Sequence, residues 1–382
     1  MRILVVGAGA IGGYFGARLA AAGRDVTFLV RPKRAEQLAS GLVVRSPKGD
    51  VTIAAPKLVT EATLPPLGVP SLAAQSLTAR SHEPFDLILL SCKSYDLDGA
   101  MDSFARAVGP KTLILPLLNG ESHIDTLKKR FGAGAVLGGQ CQISSTLDEQ
   151  GHVIHLNDWH MLGFGELDET RDRAVSDRAA SEGTPSGGEG IPSGGSARIE
   201  AVNESFSGAN FEAQLSLHIL HDMWEKWVFI ATMAGITCLM RAALGDIETA
   251  GGTSIALELF EECSAIAGKN GYTVRPVVGE RIRKTLTTPG STLMASMLRD
   301  VEGHRKTEHE HILGELLARA QGARAPVLEI CLAHLRAYEA RRLSPLGIPS
   351  LTARSSPLGI PSPPLGVPSL AAQSLAARSR EG

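Results

Sequence analysis

Arg2-Ile3-Leu4-Val5-Val6-Gly7-Ala8-Gly9-Ala10-Ile11-Gly12-Gly13 opens the chain with a buried-type strand that runs straight into a GxGxxG turn. A helical pattern follows through Phe15, Leu19 and Ala20, and then a second strand-like run, Asp25-Val26-Thr27-Phe28-Leu29-Val30. This order suits a dinucleotide. The first glycine permits a tight turn, the second lets backbone approach a pyrophosphate, and the third lets helix and strand pack closely. Gly7, Ala8, Gly9, Ala10, Ile11 and Gly12 are therefore the candidate phosphate-binding residues, with N–H groups at the helix start facing the anion.

The residues after the second strand bear on which dinucleotide binds. A site for NAD usually places an acid there to hold the ribose hydroxyls, whereas this chain has Arg31-Pro32-Lys33-Arg34, which suits a 2′-phosphate. Arg31 is the candidate contact and NADPH/NADP+ the expected cofactor. The alternative reading of the cluster is a solvated basic loop.

At 382 residues and 43% apolar content, the chain can bury real cores. Its net charge of −2 gives no reason to expect a nucleic-acid or acidic-membrane partner. Cys92, Cys141, Cys238, Cys263 and Cys331 are far apart, odd in number and form no CxxC, so neither a zinc site nor a disulfide framework is signalled. A reducing cytoplasm is the expected location. The N-terminus lacks the layout of a signal peptide, and the apolar run 227–240 is too short to span a bilayer.

Three segments stand apart. Pro65 to Ser81 is repeated, with one change, as Pro363 to Ser379, and Gly183 to Gly195 is rich in Gly, Pro and Ser. Copies so far apart do not make a solenoid, and this composition cannot pack a core. The expected organisation is thus a nucleotide-binding domain over 1–168 with a low-complexity insert at 65–81, a linker over 169–198, a helical substrate and dimerisation domain over 199–341, and a disordered repeat tail over 342–382.

Two further strand-like runs, 86–92 and 112–117, flank a helical segment, giving the parallel-sheet rhythm. Lys93 follows the first and Asn119 the second, and the carboxyl ends of parallel strands line a ligand crevice. Lys93, Asn119 and the glycine turn are expected to converge. From about His218 onward the runs are helical, at 218–240, 253–270, 277–286, 290–299, 301–320 and 325–341. The fold class is α/β, a Rossmann-type N-terminal domain with a parallel sheet, plus an all-helical C-terminal domain. The helical domain has apolar surface enough for a homodimer, although periodicity does not separate an interface from a core.

Glu308 shares a face with Ile312, Leu316 and Ala320, so a carboxylate there needs a cation or hydrogen-bond donors. Its alternative is a helix-end charge reaching solvent. Lys226, between Trp224 and Trp227, reads as a snorkelling lysine as readily as a functional one. His304, His309 and His311 with their neighbouring glutamates lack metal-ligand spacing and read as solvated surface, so no metal site is expected.

Together these residues resemble the ketopantoate reductase (2-dehydropantoate 2-reductase) family. The resemblance rests on Gly7 to Gly12, Lys93, Asn119-Gly120, Trp224-Glu225-Lys226, Ser296-Met297-Leu298-Arg299-Asp300 and Thr307-Glu308. It implies NADPH-dependent reduction of 2-dehydropantoate to pantoate on the pantothenate route. By this likeness Lys226 is the general acid, and Asn119 orients substrate or nicotinamide. Ser296 binds substrate, Glu308 serves cofactor and catalytic network, and Lys93 lies at the cofactor. Where the family carries three asparagines, this chain has Ile230, Ala234 and Leu244, so a paralogue acting on another small 2-oxo acid is the alternative. Arg241 could replace the lost amides with a bidentate carboxylate clamp, or simply mark a helix end. A non-catalytic NADP(H)-binding sensor, docking through its repeat tail, is the reading from another class.

Overall fold

A computed structural model describes residues 1–64, 84–168 and 196–343. The insert at 65–81, most of the 169–198 linker and nearly all of the 342–382 tail lie outside the described residues. The first sheet follows directly from the aliphatic runs. Strands β1 (Arg2–Val6) and β2 (Asp25–Leu29) bracket helix α1 (Ala10–Ala21), and α2 (Pro32–Leu38) follows. Next come β3 (Leu42–Arg45), β4 (Val51–Ile53), β5 (Lys57–Val59), β6 (Leu87–Leu90), α3 (Leu97–Phe104) and β7 (Leu113–Pro116). Strands β5-β2-β1-β6-β7 pair in that order, all parallel. The central strand is buried on both faces, with Ile3, Leu4 and Val5 at 0% exposure, as expected where helices cover both sides. Strand order reverses between β1 and β6, so their carboxyl ends open a crevice at the glycine turn.

A second sheet was not anticipated by the sequence reading. After α4 (Ser122–Phe131), the long strands β8 (Leu137–Leu147) and β9 (Val153–Glu166) pair antiparallel. Strands β10-β9-β3-β4 complete this sheet, whose β10 (Glu212–Leu215) follows α5 (Ala197–Phe206). Ile199, Val202 and Phe206 of α5 pack into the core shared with β1 and α1.

The helical half begins with α6 (Ile219–Met240), followed by α7 (Leu244–Thr249), α8 (Thr253–Lys269), α9 (Pro276–Leu286) and α10 (Ser296–Glu302). A π-helical turn at Glu310–Gly314 leads into α11 (Glu315–Ala318), and α12 spans Pro326–Leu343. Two expected helices are shorter than their periodicity suggested. Residues 291–295 carry no regular secondary structure after the turn at Pro289-Gly290, and 303–307 form a connection in which His304 takes φ 53°, a left-handed conformation. Trp224, Trp227, Leu259 and Leu332 are fully or almost fully buried in the core of this half. Among the described residues, no helix is long and apolar enough to cross a membrane.

Candidate active site

Gly7 and Gly12 of the turn are required for different reasons. Gly7 adopts φ +92°, open to glycine at little cost. A Cβ on Gly12 would lie 2.1 Å from both the Gly7 carbonyl oxygen and Ser91 Oγ. Helix α1 thus presses against the end of β6, where Ser91 Oγ donates toward the carbonyls of Val6 and Gly7 at 2.9 and 2.8 Å. At Gly9 a Cβ would meet nothing within 4 Å, leaving open space above the helix start. Gly9 caps α1 without a side-chain bond, and the first turn holds no acid. The first N–H groups of a helix have no internal acceptor, so this end offers donors and a positive dipole to a phosphate.

The basic run after β2 divides in two. The Arg31 side chain is 79% exposed and pairs with Asp96 at 3.0 Å. Arg34 turns inward, its Nε donating to the Ala8 carbonyl at 2.9 Å, so it braces the glycine turn.

Lys226 lies two turns into α6 and lines a cleft with Asn119, Gly120, Gln140 and Ile230. Leu118, Gly139, Met223 and Trp227 complete the wall. Burial pulls the Lys226 ammonium below the ordinary lysine value. Among the described residues no carboxylate pairs with it, and Glu308 pairs with Lys93 instead. The flanking tryptophans are structural, Trp227 Nε1 donating to the Ile312 carbonyl at 2.8 Å and Trp224 stacking on Tyr272.

Glu308 reaches the carboxyl end of β6. Its carboxylate accepts from Lys93 Nζ at 2.8 Å and from the Ser94 N–H at 2.9 Å. Burial pushes this carboxyl up, yet the Lys93 charge and these bonds hold it below the usual value. Asp300 Oδ2 stands 3.6 Å from the same ammonium. Lys93 in turn is raised: burial works against its charge, but Glu308 and Asp300 prevail.

His309 and His311 are not solvated surface, as the sequence reading had them; each is 8% exposed. The π-helical turn directs His311 inward, where its Nε2 bonds the Asn119 carbonyl and its Nδ1 lies 2.9 Å from Glu315. His309 Nδ1 meets Thr307 Oγ1 at 2.9 Å. Beside them His123, at the start of α4, is fully buried with neither ring nitrogen bonded among the described residues.

Gly7 to Gly12, Lys93, Asn119, Lys226 and Glu308 thus sit on the strand ends and the helical wall facing them. Two candidates are not among the residues lining the Lys226 cleft. Arg241 is exposed at the end of α6 with φ 55°, about 22 Å along the helix from Lys226 at 1.5 Å per residue. Ser296 is exposed at the first residue of α10. Of the three positions where the resemblance would place asparagine, Ile230 lines the cleft, while Ala234 and Leu244 are buried in the helical core. Gln140 and His311 had no sequence signal: one sits in a strand without regular alternation, the other in a polar run. Among the described residues, no group of three or more His, Cys, Asp or Glu is placed to hold a metal.

Residues 3–169 match the family described as Ketopantoate reductase PanE/ApbA, and residues 218–339 match Ketopantoate reductase PanE/ApbA C terminal. An uncharacterized oxidoreductase of Bacillus subtilis, YkpB, is 36% identical over 346 residues, spanning 90% of this chain and 100% of the relative. A 2-dehydropantoate 2-reductase of Halobacterium salinarum is 26% identical, spanning 84% of this chain and 92% of its own. A PanE/ApbA family ketopantoate reductase from Ralstonia eutropha has the same fold, with TM-score 0.71 at 21% identity over 90% of this chain and 100% of its own. So does a D-mandelate dehydrogenase solved with NADH and anilino(oxo)acetate, with TM-score 0.69 at 19% identity over 90% of this chain and 100% of its own. With both halves matched and the glycine turn, Lys93, Asn119, Lys226 and Glu308 facing one another across the strand ends, the chain belongs to the ketopantoate reductase family and is an oxidoreductase acting on a CH–OH group.

Proposed function

We propose that the protein reduces a 2-oxo acid with NADPH, 2-dehydropantoate being the first substrate, and that Lys226 supplies the proton. The observation that carries this is a lysine ammonium without a carboxylate partner among the described residues, lining a cleft with Asn119. An ammonium committed to a salt bridge would be a poor donor. One held by burial alone gains most when negative charge grows on a nearby oxygen.

The glycine turn fits a dinucleotide, with open space at Gly9 and uncapped N–H groups at α1 to hold its pyrophosphate. When bound, the cofactor supplies the hydride. Arg31, exposed and following β2, would exchange Asp96 for a 2′-phosphate, which supports NADPH over NADH. Asn119 orients the reacting carbonyl, its backbone fixed by His311. Glu308 holds Lys93 at the strand end where the nicotinamide half would lie. The five cysteines are free thiols, consistent with placing the protein in the cytoplasm.

A second reading, another branched 2-oxo acid, is favoured by Ile230 on the cleft wall. Cofactor oxidation followed at 340 nm, with NADPH and NADH against 2-dehydropantoate and a panel of 2-oxo acids, decides. Turnover of 2-dehydropantoate with NADPH preferred bears out the proposal. Preference for another acid transfers it to the second reading. Tight NADPH binding without turnover on any acid overturns it.

A further inference from the structure

Gln140 is 6% exposed, lies on β8 and lines the Lys226 cleft. Its Oε1 is buried with no hydrogen-bond partner among the described residues. An amide can accept at the oxygen and donate twice at the nitrogen, so burying one without partners is costly. A strand residue kept in this state calls for an explanation, and a small molecule in the cleft supplies one. The surroundings are built around the side chain. Opposite it on β9 stands Gly163, where a Cβ would come within 3.1 Å of Gln140 Cγ and 3.4 Å of Nε2. Any other residue there would crowd the glutamine.

We infer that Gln140 is a specificity-determining residue that accepts a hydrogen bond from a hydroxyl carried by the 2-oxo acid substrate, beyond the carbonyl being reduced. This rests on the reductase reading above. A carboxylate or keto oxygen has no proton to offer Oε1, whereas a hydroxyl has one and can also accept from Nε2. Lys226 and Asn119 share the wall and are assigned to the reacting carbonyl; its apolar part, Ile230, Met223 and Leu118, would take a branched carbon skeleton, and Trp227 has committed its N–H to Ile312. The strand amide thus does from the opposite wall what Ile230 on α6 cannot. A site built to bond a hydroxyl rejects the analogue lacking it far more strongly than an apolar pocket discriminates by size.

The test compares 2-dehydropantoate with 3,3-dimethyl-2-oxobutanoate, which lacks only the hydroxymethyl oxygen's contribution beyond the shared branched skeleton, in the wild type and in Gln140→Leu. Wild type should favour the hydroxylated acid by about 10²-fold or more in kcat/KM. Gln140→Leu should narrow that ratio at least about tenfold, mainly through loss on the hydroxylated acid, while raising the melting temperature of the ligand-free protein because an unpartnered amide is removed. Gln140→Met, of similar length, carries the same test if the leucine variant does not fold. An unchanged ratio, or a wild type that prefers the deoxy acid, overturns this inference and leaves the reductase reading intact. A fall in melting temperature in both variants would mean that the amide has a structural partner, and also overturns it. Reduction of neither acid by wild type overturns the substrate reading and this inference together.

Discussion

The Lys93 ammonium lies 2.8 Å from the Glu308 carboxylate, a contact between residues 215 positions apart that ties the end of β6 to the helical half. The Ser94 N–H bonds the other carboxylate oxygen, so Glu308 is held on two sides. Glu308→Gln keeps the size but loses the charge that holds Lys93. We expect kcat/KM to fall about tenfold, as when a partner of a charge-assisted bond is removed. In a double-mutant cycle with Lys93→Met, the double variant should be little worse than either single one. Additive losses would show that the two residues act separately.

Lys226→Ala should reduce turnover by about 10²-fold or more while leaving NADPH affinity nearly unchanged, the signature of a lost general acid. As the proposed proton donor Lys226 would act in its protonated form, and burial lowers its pKa. The alkaline limb of the kcat/KM profile should therefore lie below the ~10.4 of free lysine. A limb at or above that value would remove Lys226 from the role.

The glycines separate stability from cofactor binding. At Gly12 a side chain would collide with backbone and with Ser91 at 2.1 Å, so Gly12→Ala should lower the melting temperature and abolish measurable NADPH binding. Gly9 faces open space, so Gly9→Ala should melt like wild type and yet bind NADPH more weakly. Thermal melts and fluorescence titration of NADPH check both.

His123 predicts acid sensitivity. Burial, aided by the nearby positive charges of His311 and Lys226, pushes its imidazole down to about 3. In the unfolded chain it titrates near ~6.5, so between those values the unfolded state binds a proton that the folded state refuses. Stability is lost as pH falls through that window. Relative to wild type, His123→Leu should recover about 2 kcal/mol of the loss between pH 6 and pH 4.5, read from urea denaturation at the two pH values. Parallel pH dependences would refute it.

Much of the nucleotide-binding half was legible because aliphatic strands, glycines and turn spacing are local properties. Ile3 to Val6 could hardly be anything but a buried strand, and Gly7, Gly9 and Gly12 each stand where their spacing put them. Glu308 was legible through its need for a cation, although which cation was not. The second sheet was hidden because β8 and β9 mix glycine, polar and aromatic residues without regular alternation. His311 was misread since a run of His and Glu looks solvated until a helix of unusual pitch turns part of it inward. Arg241 illustrates the limit of motif reasoning: its charge is suitable, but the length of α6 carries it away from Lys226.

The π-helical turn at Glu310–Gly314 contains one residue more than an α-helical turn would, closed by the Glu315 N–H on the Glu310 carbonyl. An α-helix advances about 100° per residue, so deleting any one residue here would let the helix close normally while rotating what precedes the deletion by that angle. Glu308 would then swing away from Lys93 with every site residue still present in the sequence. Register, as much as identity, is therefore inherited information in this site, and a relative with all the matching residues but one fewer between Glu308 and Leu316 would have a different cleft.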